Sequence, residues 1–440
     1  DDNWDTLFEH RGSRLMLYAD PHWGPKMAAD NLLPPLRPDS TPDWIDLWHK
    51  RLEANTPWHL TWHGESPTPD YWEEVKSDPG LIEVPVFVIC GWQDAYPEDT
   101  VRIYNAAKGP KRLLFGPWKH TFPDESPVAP VDFVNEMDLW WDRWLKGEDN
   151  GIDKEPPITI YVQGKNEWRV ENEWPLARQV VRTMYPSSGR TLVNKPSRSE
   201  DRTDTYDFDA RAGIASAAYD AVLQPIEYPA DQSSDDVISL SYTSDPLSES
   251  LEVTGQPEAT VYLTTELPLE ELNVVAKLLE VTPSGTSHLV SHENLGGSRC
   301  TKVAEIDGKP VYLARFLLRP TSYQFATGNQ IRLAISGSDF PFIWPTPRPY
   351  QFQLLTGDKY PTGISLPTIP ETTESRPSPT IRTLDESRDY QGPKRERGAD
   401  YSVTRHLTNP SVTFNGKRWS RVSIDQNLSY ANSQQFSLSV

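Results

Sequence analysis

Cysteine is nearly missing from this chain. Cys90 and Cys300 are the two present in 440 residues, too few for a disulfide framework, and the redox compartment stays open. Long apolar runs are missing too: no stretch is long enough to span a bilayer, and no basic-then-apolar leader opens the chain. A basic surface is absent, with 43 Lys and Arg against 63 Asp and Glu and a formal net charge of −20. That balance disfavours nucleic acid and anionic membrane as partners. The acidity is spread along the chain and reads as solubility. The first ten residues, DDNWDTLFEH, lack an initiator Met. They are read as continuing from a preceding segment or as belonging beside a separate polypeptide. What is abundant is proline, 41 residues, and tryptophan, 16 residues, of which fourteen fall before residue 175. The two halves therefore differ in kind, and the length suits two or three domains.

Residues 1–82 read as a Trp-rich helical region. Thr41-Pro42-Asp43 is a helix start, after which Trp44, Leu47, Trp48 and Leu52 recur at helical spacing. Thr68-Pro69-Asp70 is a second start, leading into Tyr71, Trp72 and Val75. His59 and His63 sit four apart, as two metal ligands on one helical face do, but no third ligand accompanies them and no metal is expected. Residues 83–150 change pattern. VPVFVICG, bounded by Pro and Gly, has the continuous apolar character of a buried parallel strand. A helix over 98–107, a strand over 112–115 and an amphipathic helix over 131–145 follow. This is strand–helix–strand–helix, half of an α/β sheet; two parallel strands are too few to stand alone, so the remaining strands are expected from sequence outside this chain.

Residues 151–370 read as β-rich. ITIYVQG, EATVYLTTEL, NVVAKLLEVT, VYLARFLLRP and QIRLAISGS run or alternate apolar between turn residues, the pattern of a sandwich or jelly roll. Residues 371–440 begin with a Ser, Pro, Arg and Glu stretch, an extended arm, and end with strand-like pieces carrying a hairpin signal at Asn415-Gly416.

Asp94 follows the first strand of the α/β unit and His120 the second. An Asp and a His in that order at neighbouring strand ends are what an α/β-hydrolase triad contributes after its serine. The His takes a proton from the nucleophile and returns it to the leaving group; the Asp sets its tautomer and stabilises the imidazolium. A structural histidine at a strand end is the competing interpretation. No serine stands in a Gly-x-Ser-x-Gly elbow: Gly64-Glu65-Ser66-Pro67-Thr68 ends in Thr and has no strand before it, so it reads as a loop. Cys90 lies inside its strand, where a thiol is expected to be buried and inert.

Gly91-Trp92-Gln93-Asp94 and Gly116-Pro117-Trp118-Lys119-His120 resemble the Asp and His motifs of the cocaine-esterase/X-Pro dipeptidyl-peptidase family of serine hydrolases. So does the stretch from Trp144 to Gly151, followed by Tyr161-Val162-Gln163-Gly164 and Asn166-Glu167-Trp168-Arg169. Tyr242-Thr243-Ser244-Asp245-Pro246-Leu247 and the run from Gly328 to Pro341 are similar to its jelly-roll landmarks. The likeness runs in order over about residues 30–370. It implies an α/β plus all-β protein: a partial α/β-hydrolase core with a helical cap, followed by a jelly-roll β-sandwich. It implies Asp94 and His120 as catalytic residues and Trp92 and Tyr96 beside the acyl pocket, although for both aromatics packing at the domain junction is an equal alternative. The implied substrate is a small-molecule acyl ester or amide, with no cofactor. The implied partner is an N-terminal segment or companion polypeptide bearing the nucleophilic serine and oxyanion donors. The residues past 370 extend beyond the resemblance and are read as clasping a second subunit or covering a sheet edge. The other interpretation of the whole chain is a non-catalytic binding or assembly protein that keeps the hydrolase scaffold.

Overall fold

The computed structural model describes residues 24–34, 43–55, 77–94, 96–196, 201–216, 231–340, 342–343, 345–371, 377–383, 411–414 and 417–420. Among these residues two helices come first, α1 (Gly24–Asp30) and α2 (Trp44–Ala54). Trp48 Nε1 donates to the Leu32 carbonyl at 3.0 Å, and the Trp44 and Trp48 rings stack 6.2 Å apart. α2 buries none of its residues, so Leu47 and Leu52 are exposed and core packing does not account for Trp44 or Trp48. Asp43, the last residue of the helix start read from the sequence, is the N-cap and makes no side-chain capping bond. Trp58, Trp62, Trp72, His59, His63 and the 64–68 loop lie outside the described residues.

The α/β unit is built from β1 (Val86–Gly91), α3 (Pro97–Ala106), β2 (Lys111–Gly116) and α4 (Phe133–Trp141), which passes into a π-helical turn at Asp142–Lys146. β1 and β2 run parallel, with Val86 opposite Lys111 and Gly91 opposite Gly116. Alternation splits their side chains between two cores. Val88, Cys90, Leu113 and Phe115 meet Val101 and Tyr104 of α3 on one face. Phe87, Ile89 and Leu114 meet Trp118 and Val131 on the other.

The sheet is larger than the sequence pattern suggests. β3 (Ile158–Val162), grouped by composition with the β-rich residues after 150, pairs parallel with β2, and β4 (Glu167–Glu171) pairs antiparallel with β3. The physical reason is burial on both faces: all five residues of β3 are buried and Ile158 and Ile160 are fully so. The Gly147–Gly151 turn therefore does not mark the switch from one sheet to the next. Among the described residues the sheet order is β1-β2-β3-β4, which leaves β1 at an edge.

Beyond it lies a fourteen-stranded β-sandwich. The apolar runs read from the sequence are strands at Glu258–Thr265, Asn273–Val281, Lys309–Leu317 and Gln330–Ser336. Asn273–Val281 is buried along its whole length between antiparallel neighbours Ser287–Gly296 and Gln330–Ser336. Ala259, Val261 and Leu263 alternate inward from Glu258–Thr265 to the main core. The fold is thus an α/β core plus a β-sandwich. Backbone bonds join the two: Gln163 N donates to Ser322 O at 2.9 Å and Gln324 N to Gln163 O at 2.8 Å. Arg169 Nη1 meets Glu252 Oε2 at 2.7 Å across the same junction.

Residues 377–383, part of the expected arm, return to the α/β unit. Ile381 packs against the Leu114, Trp118 and Val131 cluster, and Asp132 N donates to Arg382 O at 2.8 Å. Arg382 Nη1 meets Glu136 Oε1 at 2.7 Å and its other arm reaches Glu155. Arg112 shares both carboxylates, at 3.4 Å and 2.7 Å. This stretch covers a face of the sheet within its own chain. The strands Ser411–Phe414 and Lys417–Ser420 pair antiparallel on either side of Asn415-Gly416, which itself is outside the described residues.

Arg382→Ala leaves Glu136, which is buried, with the more distant Arg112 contact. The variant is expected to lose about 2 kcal/mol of stability, read as a lower urea midpoint with an unchanged slope.

Candidate functional site

The parallel pairing does not stop where the strands end. Trp92 N donates to Gly116 O at 2.9 Å and Gln93 N to Trp118 O at 3.0 Å, so the two post-strand loops leave the sheet side by side. A Cβ on Gly91 would fall on the Trp118 carbonyl, and one on Gly116 on the Trp118 indole, so both strand ends require glycine. Trp118 is buried and donates from Nε1 to Ala129 O at 3.1 Å, which anchors the second loop from below.

This arrangement brings Asp94 and His120 together. His120 Nδ1 lies 3.0 Å from Asp94 Oδ1 and 3.3 Å from Oδ2. The carboxylate is sheltered, with its side chain 13 % exposed, while the imidazole is 42 % exposed. With Nδ1 engaged, Nε2 on the opposite side of the ring is the nitrogen open to a proton donor. The hydrogen bond from Asp94 raises the His120 pKa above its ordinary value of about 6.5; burial opposes the shift and the carboxylate charge adds to it.

Tyr96, expected beside an acyl pocket, stands next to the pair. It is the N-cap of α3, and its ring meets the His120 ring edge-on with centroids 5.5 Å apart. Trp92 does not stand there. It is 2 % exposed, stacks flat on Phe115 at 4.0 Å, and donates from Nε1 to Tyr161 O at 2.7 Å. The pocket expectation for Trp92 gives way to the packing alternative, because a ring at a strand end between β2 and β3 fills the sheet junction. Cys90 is buried in the same cluster, and burial, reinforced by Asp94, pushes its thiol well up. Burial likewise pushes Cys300 to about 12. Neither is a thiolate nucleophile at neutral pH.

Sequence reasoning missed Arg319. Its side chain is 2 % exposed, and it reaches from the sandwich to donate from Nη1 to the Asp94 carbonyl at 3.0 Å. Its Nε lies 3.4 Å from Glu98 Oε1 at the start of α3. The one available signal was an arginine closing an apolar strand, Leu317-Leu318-Arg319-Pro320. No group of three or more His, Cys, Asp or Glu among the described residues is placed to hold a metal. A cleft of about 650 Å³ lies elsewhere, on the sandwich, lined by Phe208, Glu266, Lys309 and Tyr350 among others; none of its lining belongs to the Asp94 or His120 loops.

Comparison with known proteins decides the family. A profile described as X-Pro dipeptidyl-peptidase (S15 family) matches residues 28–122, a span that contains both Asp94 and His120. One described as the X-Pro dipeptidyl-peptidase C-terminal non-catalytic domain matches residues 150–379, more than half of the chain. The chain belongs to the cocaine-esterase/X-Pro dipeptidyl-peptidase family. Among its relatives, a putative serine esterase of Mycobacterium bovis is 27 % identical over 341 residues, covering 68 % of this chain and 52 % of that protein. The cocaine esterase of Rhodococcus is 26 % identical over 296 residues, covering 60 % of this chain and 50 % of that protein. The chain spans about half the length of the curated relatives it matches. A solved α-amino acid ester hydrolase superposes with a TM-score of 0.58 at 18 % identity, covering 74 % of this chain and 62 % of that one, a likeness of fold.

Replacing Asp94 by Asn keeps the shape and removes the charge. The His120 titration midpoint, read by NMR on 13C-labelled histidine, is expected to fall to the ordinary value or below, since only the burial penalty remains. The pair stabilises the fold below the unfolded midpoint of about 6.5 and loses that contribution as pH rises through the raised folded midpoint. The stability deficit of Asp94→Asn should therefore be larger at about pH 6 than at pH 9.

Proposed function

We propose that this chain supplies the acid and base of a serine hydrolase, Asp94 and His120, to a nucleophile that another segment or a companion polypeptide carries. The observation that carries this reading is the 3.0 Å contact between His120 Nδ1 and Asp94 at the carboxyl ends of adjacent parallel strands. A scaffold retained only for binding has no use for a sheltered carboxylate aimed at one nitrogen of a half-exposed imidazole.

In this reading His120 Nε2 accepts the serine proton as the hydroxyl attacks an ester or amide carbonyl, then delivers it to the departing alcohol or amine as the acyl-enzyme forms. Water repeats the sequence in reverse roles to release the acid. Asp94 stabilises the imidazolium through both half-reactions. Only neutral His120 can accept the proton, so turnover is expected to rise with pH through a midpoint above the ordinary imidazole value.

Two features support a docked companion. β1 is the terminal strand of its sheet among the described residues, and Val86 to Ile89 are half-buried where parallel strands are ordinarily buried on both faces. A further parallel strand beside β1 would cover them and set its own loop next to Asp94 and His120. The apolar side of α2, exposed at Leu47 and Leu52, offers a second surface to the same partner. In this reading the exposed imidazole, with Tyr96 beside it, acts on a small-molecule acyl ester or amide, and the family's range of esterases and X-Pro peptidases keeps both bond types in view.

The test is to label the native assembly containing this chain with a fluorophosphonate and map the adduct. A labelled serine on the associated segment, with labelling at least 100-fold slower after His120→Ala, is the expected result. Labelling of no serine on any associated polypeptide contradicts the reading and leaves the binding scaffold.

A further inference from the structure

We propose that Arg319, in the domain whose family description is non-catalytic, is the positioning residue that sets the Asp94 carboxylate against His120; the proposal rests on the Asp94–His120 reading above.

Asp94 sits in a short loop between β1 and α3, and a loop of that kind has many backbone conformations of similar energy. Two groups from Arg319 restrict it at both ends. Nη1 binds the carbonyl of Asp94 itself, at 3.0 Å, and Nε faces Glu98 at 3.4 Å, four residues on. The guanidinium therefore spans the turn that connects the carboxylate to α3. Its hydrogen bond to Asp94 is to the backbone carbonyl, so its action on the pair runs through backbone placement. A planar cation with several donors is suited to this, because one rigid group hydrogen-bonds the carbonyl while its charge lies against the carboxylate.

Arg319 is itself held from behind. Its backbone N donates to His292 O at 3.3 Å, and its carbonyl accepts from Ser291 Oγ at 2.7 Å. The guanidinium lies 4.9 Å from the centroid of Phe342, whose ring is 5.0 Å from that of His292. His292 Nδ1 is 2.8 Å from Asp339 Oδ2, and Asp339 Oδ1 is 3.0 Å from Lys277 Nζ. All of these polar side chains are buried. Burial keeps the His292 pKa below its ordinary value, so the imidazole is neutral and the buried charges of the network are Lys277 with Asp339 and Asp235. Such a network is costly to build in a sandwich core that apolar side chains could fill. Its placement under Phe342 and Arg319 gives it a role: it fixes the platform from which Arg319 reaches the Asp94 loop.

The Asp94 carboxylate on the β1–α3 loop faces His120, and Arg319 and Glu98 meet at that same loop. Loss of position and loss of charge consequently move the His120 midpoint in opposite directions. Removing a nearby cation by itself favours imidazolium and raises the midpoint, whereas releasing Asp94 from its place weakens the hydrogen bond and lowers it. The experiment is an NMR titration of 13C-labelled histidine in the 440-residue chain carrying Arg319→Met or Arg319→Lys, with His120 assigned through His120→Gln. Arg319→Met is expected to lower the His120 midpoint by about half a unit or more. Arg319→Lys keeps the charge but reaches only one of the two acceptors, and should fall between it and the parent. The backbone amides of Asp94, Tyr96 and Glu98 should exchange at least about tenfold faster in Arg319→Met.

A midpoint that stays put or rises in either variant overturns the proposal, even where thermal stability drops, since a purely structural role would lower the melting temperature and leave His120 alone. If Arg319→Met does not fold, Arg319→Lys decides the matter by the same reading. A lowered midpoint together with no fluorophosphonate-labelled serine would keep Arg319 as the positioning group and reject the hydrolase; an unmoved midpoint with a labelled serine would do the reverse.

Discussion

Everything at the site depends on one close approach, the parallel register that sets Gly91 opposite Gly116 and carries backbone pairing on to Gln93 and Trp118. Parallel strands end on the same side of a sheet, so the loops that follow them emerge together. Here the emergence is tight enough that neither glycine has room for a side chain, because the Trp118 carbonyl and indole occupy that space. The meeting of Asp94 with His120 follows from this packing. Two residues 26 apart in sequence become hydrogen-bonded through the position of two glycines and the burial of one tryptophan.

The remainder of the chain steadies that approach from several sides. β3 and β4 continue the sheet beside β2 and tie it to the sandwich through Gln163 and Arg169. Ile381 and Arg382 cover the opposite face and share Glu136 and Glu155 with Arg112. Arg319 holds the loop that bears Asp94. In an acidic chain these arginines, buried or half-buried, meet carboxylates on elements distant in sequence. The sandwich is thus more than a neighbour of the α/β unit, since its polar core ends in contact with the loop that presents the carboxylate.

Local pattern made much of this legible. The apolar run at 86–91, the helix at 97–106 and the inward alternation of Ala259, Val261 and Leu263 follow from periodicity, and Asp94 and His120 stand where strand-end chemistry puts them. What local pattern missed was long-range. Ile158 to Val162 reads as another strand of a β-rich run, and only its pairing with β2 shows which sheet it joins. Trp92 has the same composition whether it lines a pocket or fills a junction; its stacking on Phe115 decides for the junction. Arg319 and Arg382 act 225 and 246 residues away from the groups they hold, a distance over which no periodicity speaks.

The central claim is that this chain alone assembles an imidazole–carboxylate pair with Asp94 on Nδ1 of His120. A proton shared in such a contact is shifted far downfield in the 1H NMR spectrum and persists because exchange with water is slowed. The account predicts a far-downfield resonance, coupled to His120 Nδ1 in 15N-labelled protein, when the imidazole is protonated. It should vanish in Asp94→Asn while the fold remains. A spectrum of the folded chain with no such resonance, at low temperature and below the His120 midpoint, would contradict it.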